Sequence, residues 1–90
     1  MFVPGDLIFY ALRAGGAESY LAGIVVECGE GGFSVALPDG LREVSTSADD
    51  FVRAWLVQHA PGTMDRADAL AFSARRLPEL LAEPLVVVEP

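Results

Sequence analysis

Ninety residues, 52% of them hydrophobic, suit a single domain and exclude a disordered chain. Thirteen carboxylates against six basic side chains, all arginine, leave a net charge of −7, which opposes a phosphate backbone and makes nucleic acid a poor partner. The longest apolar runs, Ile24 to Val26 and Leu85 to Val88, fall far short of the roughly 20 residues that a bilayer span needs. The start, MFVPGDLIFY, carries no basic leader, and the single Cys28 has no disulfide mate, so the expectation is a cytoplasmic protein with no membrane contact.

Pro4 and Gly5 prevent regular structure before Leu7. Leu7 to Leu12 reads as a first strand, with Leu7, Phe9 and Ala11 on one face and Ile8, Tyr10 and Leu12 on the other. Both faces are apolar, so both need covering, and the C-terminal helix is the expected second cover. Arg13 to Ser19, with its Gly15-Gly16 pair, reads as a flexible polar loop. In the second strand, Tyr20 to Cys28, the residues Ala22, Ile24, Val26 and Cys28 lie opposite Leu21, Gly23, Val25 and Glu27; Gly23 marks a bend or a close backbone approach.

Gly29 to Gly32 turns the chain into a third strand, Phe33 to Leu37, with Phe33, Val35 and Leu37 inward and Ser34 and Ala36 outward. Pro38-Asp39-Gly40 then leads into a fourth, Leu41 to Ser45, with Val44 inward and Arg42 and Glu43 near the rim. From Thr46 to Val57 the pattern fits both periods: Ala48, Phe51, Val52, Trp55 and Leu56 make a helical stripe, whereas Val52, Ala54 and Leu56 make a strand face. The β-branched and aromatic residues of the second half favour one helical turn at Ser47 to Asp50 and a strand from Val52 to Val57.

Pro61-Gly62 ends that element. Thr63 is expected to cap a helix from about Met64 to Arg76, with Ala67, Leu70, Ala71, Ala74 and Leu77 as its apolar stripe, Asp65 and Asp68 at its positive end and Arg75 and Arg76 at its negative end. Pro78 is expected to break it and start one more turn, Pro78 to Ala82, before Pro84 releases Leu85 to Val88 as a last strand or an exposed segment.

Gly5-Asp6 before the first strand, Tyr20-Leu21-Ala22-Gly23-Ile24-Val25 in the second, Phe33-Ser34-Val35 in the third, Asp39-Gly40 at the turn and Asp50-Phe51-Val52-Arg53 after it together resemble an SH3-like barrel of the Tudor or Agenet type. The resemblance spans about residues 4–57 and leaves the later helix outside it. The expected fold class is therefore mainly β with a C-terminal helix: a small SH3-like barrel of about five antiparallel strands over residues 1–60, and a helical extension over 61–90. The resemblance also implies binding of peptides, modified side chains or nucleic acid, often through a cage of aromatics that accepts a cation on its ring faces. Tyr10, Tyr20, Phe33 and Trp55 are the residues at matching positions, and aromatics at strand positions also serve as core.

Catalytic chemistry finds little support. Cys28, His59 and Asp49 or Asp50 can be written as nucleophile, base and orienter, but Cys28 ends an apolar strand with no basic cluster beside it, so the sequence offers nothing to activate the thiol. One His and one Cys among scattered carboxylates give no metal-ligand spacing, and no cofactor is expected. The Gly29-Glu30-Gly31-Gly32 stretch carries an acid and joins strands, which is hairpin chemistry and not a phosphate cradle. Phe72, off the alanine stripe, is a candidate contact residue with Met64 and the Val86 to Val88 run, suited to a second copy of the chain. The sequence thus points to a non-enzymatic binding module for a protein or basic peptide, with the possibility of a homodimer. The alternatives are an acidic inhibitor or immunity-type protein that sequesters a basic toxin or enzyme, and a small oligomeric enzyme.

Overall fold

The computed structural model describes residues 2–81. Five strands precede one helix: β1 (Leu7–Ala14), β2 (Ala17–Gly29), β3 (Gly32–Leu37), β4 (Gly40–Ser45), β5 (Phe51–Gln58) and α1 (Arg66–Leu81). The strands form one antiparallel sheet in the order β4-β3-β2-β1-β5, so β4 and β5 are its two edges. This is a β-rich fold of a kind compatible with an SH3-like barrel. Leu85 to Val88, expected as a last strand or exposed segment, lies outside the described residues.

Both faces of the sheet are apolar, as the composition of β1 requires. On the inner face Ile8, Tyr10, Val25, Phe33, Val35, Leu37 and Val44 form one buried cluster. The sheet curls enough for Phe33 of β3 to meet Phe51 of β5, with ring centroids 6.5 Å apart. On the outer face Leu7, Ile24, Val26 and Ala36 pack against Ala69, Leu77 and Leu80 of α1, so the helix is the second cover. Gly23 lies at a close approach between strands: a Cβ there would stand 3.1 Å from the Ala36 carbonyl oxygen and 3.2 Å from the Val35 Cβ.

Several expectations are corrected. Arg13 to Ser19 is no loose loop, because β1 and β2 continue to Ala14 and Ala17 around a two-residue turn at Gly15-Gly16, both with positive φ. That is the backbone a tight hairpin needs, and it sets Arg13 directly opposite Glu18. In β2 the register shifts between Val25 and Glu27, and this bulge carries Cys28 to the inner cluster, away from Ile24 and Val26. Ala36 faces outward as its alternation requires, and α1 buries it there. Thr46 to Asp50 is a pair of turns closed by Ala48 N donating to Ser45 O and Phe51 N donating to Ala48 O, so no helical turn forms there.

The helix begins later and ends later than its alanine pattern suggests. Asp65 is its cap: Asp68 N donates to Asp65 Oδ1 at 2.8 Å and Asp65 N to Asp68 Oδ2 at 3.3 Å, a reciprocal arrangement that Thr63 does not make. Pro78 sits inside the helix and does not break it. Its missing N–H leaves only the carbonyl of the exposed Ala74 without a helical donor, while Leu77 and Leu80 on either side are buried against the sheet and hold the last turn down. The buried stripe is Ala69, Ser73, Leu77 and Leu80, whereas Ala67, Ala71 and Ala74 face solvent. Alanine fits either face, and Ser73 is accommodated inside by donating its hydroxyl to Leu70 O at 2.8 Å.

The Gly5-Asp6 pair acts as a clasp. Asp6, almost fully buried, accepts from Val3 N at 3.0 Å through Oδ2 and from Ala60 N at 2.7 Å through Oδ1, tying the lead into β1 to the chain that leaves β5. Gly5 has φ of 100°, and a Cβ on it would come within 2.8 Å of the Ala60 Cβ.

Candidate functional site

Alternation along β1 divides the aromatic residues. Tyr10 and Phe33 are buried in the inner cluster, with centroids 6.0 Å apart edge to face. Burial pushes the Tyr10 hydroxyl above the ordinary tyrosine value, and the Arg42 guanidinium works against that shift from β4, where Arg42 stands opposite Val35 on the same face. The four aromatics therefore do not converge on a single cage.

Tyr20 and Trp55 do meet, on the outer face. Phe9 stands opposite both Ala22 and Trp55, Ala11 opposite both Tyr20 and Arg53, and Arg13 opposite Glu18. Ala11 is the floor. Its single methyl leaves room for Tyr20 on one side and Arg53 and Trp55 on the other to lean across β1, so Tyr20 meets Trp55 edge to face at 6.2 Å and Trp55 meets Phe9 at 5.9 Å. Phe9 and Ala11 are thereby buried, while Tyr20 stays 42% exposed and Trp55 half-buried.

Charged groups frame this surface. The Arg53 guanidinium carbon lies 5.4 Å from the Trp55 ring centroid, so one face of the indole already carries a cation. Glu18 accepts from the Tyr20 hydroxyl at 2.8 Å and from Arg13 Nη2 at 3.2 Å. These two partners, Tyr20 first, hold its carboxyl below the usual glutamate value. The long β1–β2 hairpin positions all of these groups, which is why a flexible-loop reading of Arg13 to Ser19 conceals the site.

Phe72, the remaining candidate, is half-buried on α1 and packs with Met64 and Leu70 against the helix-side core. It lines a cavity of about 370 Å³ with Leu7, Ile24 and His59. Cys28 belongs to other depressions, beside the β2–β3 turn, so it does not share that cavity with His59. One of those depressions, about 520 Å³, is lined by Glu27, Glu30 and Glu43; Glu27 and Glu43 stand in one row across β2, β3 and β4 with Ser34 between them, and Arg66 of α1 approaches Glu27 to 3.6 Å. Among the described residues no three His, Cys, Asp or Glu side chains gather where they could hold a metal ion, and no helix is long and apolar enough to cross a membrane.

Comparison with family models, curated proteins and solved structures gives no match.

Proposed function

We propose that this chain is a small barrel of the SH3-like kind, with the Tudor or Agenet type as its nearest pattern, that works by binding another protein and not by catalysis. The observation that carries the reading is the Tyr20–Trp55–Arg53 group on the part of the outer face that α1 leaves uncovered. Trp, Tyr and Arg are the side chains that dominate binding energy at protein interfaces, because each presents a large contact area with a polar or charged tip. Here they share a rigid floor of Phe9 and Ala11 and are partly prepaid in order by the Glu18 tie.

The geometry also narrows the partner. A cage for an external cation needs open ring faces, and Trp55 already holds Arg53, with Arg13 close by opposite Glu18. A basic peptide is therefore disfavoured at this surface, and a partner surface that offers apolar and aromatic groups to Tyr20 and Trp55 fits better.

The test is affinity capture from the cell that makes the protein, with wild type beside Tyr20→Ala, Trp55→Ala and, at the opposite edge, Leu41→Ala, whose side chain is 52% exposed. The expected result is one protein retained in stoichiometric amount by wild type and Leu41→Ala and lost by the two aromatic variants. Equal retention by all four, or retention by none, would contradict the proposal.

A further inference from the structure

The two sheet edges differ in what they offer another strand. β4 alternates Arg42 and Glu43 along an exposed ladder, a charged arrangement of the sort that discourages strand addition. β5, FVRAWLVQ, has no carboxylate and no proline, and Arg53 is its only charge, in a chain that carries −7 overall. Among the described residues it is the edge strand without an acidic side chain.

The hydrogen-bond phase shows what β5 leaves open. Arg13 N donates to Asp50 O, and Val25 N donates to Asp6 O, so odd-numbered residues of β1 bond toward β5 and even-numbered ones toward β2. Their opposites on β5, Arg53 and Trp55, accordingly bond inward to β1, and Ala54 turns its N–H and C=O to the open side. Register shifts leave Val52 and Val57 without a partner on β1, so bulges bracket a regular stretch from Arg53 to Leu56.

We propose that β5 pairs antiparallel with β5 of a second copy about a two-fold axis at Ala54. An axis perpendicular to the sheet sets only same-face residues opposite one another. Centring on Arg53 would oppose two guanidinium groups, and centring on Trp55 would set each Arg53 against the unpaired Val57 of the other copy and not beside an indole. Centring on Ala54 avoids both. It makes the central pair a hydrogen-bonded one through groups that β1 does not use, and it places Arg53 of each copy beside Trp55 of the other, the same cation-on-indole contact the protein makes within one chain. The two Tyr20–Trp55 surfaces then join into one continuous outer face. The pairing does not depend on the partner proposed above, since a single chain still presents Tyr20 and Trp55.

Sedimentation equilibrium on the full chain tests it, with Ala54→Pro, Val57→Lys and Leu41→Lys. Proline at position 54 removes a donor that points away from β1, so the intramolecular ladder is kept. Val57 is 45% exposed and unpaired on β1, and with the axis at Ala54 it comes opposite Phe51 of the other copy, so lysine there leaves the protomer intact while setting a charge against an apolar residue across the axis. The expected result is a mass of twice 9.5 kDa for wild type and Leu41→Lys. Ala54→Pro and Val57→Lys should each raise the dimer dissociation constant about thirtyfold, because each change counts twice across the axis. Should far-UV circular dichroism show Ala54→Pro unfolded, Val57→Lys decides. A single-chain mass at every concentration, or a dimer that the folded edge variants leave intact, would overturn the proposal.

Discussion

Tyr10 with Phe33 and Tyr20 with Trp55 are two edge-to-face aromatic pairs on opposite sides of one sheet. The first is sealed inside the curl of the strands, whereas the second lies beyond the reach of α1, which packs over Leu7, Ile24 and Val26. Similar chemistry therefore sits in two environments, and what separates them is the parity of the strand position and the reach of the helix. Tyr20 and Trp55 stay partly exposed where α1 does not reach.

The contrast can be broken most severely from inside. Phe33→Ala should cost about 4 kcal/mol, a cavity under three rings that the curled sheet cannot refill. Urea denaturation would read this as a large fall in midpoint. Asp6→Ala comes next, at about 3 kcal/mol, because the Val3 and Ala60 amides both lose their acceptor; the same titration, repeated with Asp6→Asn, should show a partial recovery. Trp55→Ala should cost only about 1 kcal/mol, since the ring is half-buried and has one aromatic neighbour on each side, Phe9 tilted and Tyr20 edge to face. A stability loss from Trp55→Ala as large as that from Phe33→Ala would erase the distinction between the two pairs.

Titration gives the gentlest comparison. Tyr10 has a raised folded value, so its contribution is complete below the ordinary tyrosine value of 10.0 and is lost as pH rises through the folded one. Absorbance of the phenolate should show it ionising late, together with alkaline unfolding. Glu18 has a lowered folded value, so its contribution is present above the unfolded value and is lost as pH falls through the folded one. Carbon NMR of its carboxyl should show protonation below 4.5, with the Tyr20 ring resonances shifting in step and the fold retained. Tyr20→Phe should return Glu18 toward its ordinary value while changing stability by no more than about 0.5 kcal/mol.

Much of the fold was legible in the residues. Alternation in Phe33 to Leu37 and the turn chemistry of Pro38-Asp39-Gly40 marked two strands and their joint, and the crowding of β-branched and aromatic residues after Phe51 correctly favoured a strand. The two apolar faces of β1 called for two covers, which exist. Less was legible at the site. Arg13 to Ser19 is polar and glycine-rich, so its composition suggests a loop, yet cross-strand pairing carries both strands to the tight turn and builds the Glu18–Tyr20 tie. The signal available was the Gly-Gly pair flanked by Arg13 and Glu18 at mirror positions. Nothing local marked the β2 bulge that moves Cys28 to the inner cluster, because a one-residue insertion leaves the apolar run unbroken.

By itself the sequence determined the local matters: where the chain turns, where strands alternate, where a helix follows Pro61-Gly62, and that the surface is acidic. These depend on backbone sterics and side-chain period, which neighbours along the chain already specify. Tertiary structure decided which aromatics are core and which are surface, where α1 is capped and how far it continues through Pro78, and which strands of the described residues form the sheet edges. Those outcomes turn on register and burial between segments far apart in the chain, and a shift of one residue in pairing exchanges the two faces without changing any local preference.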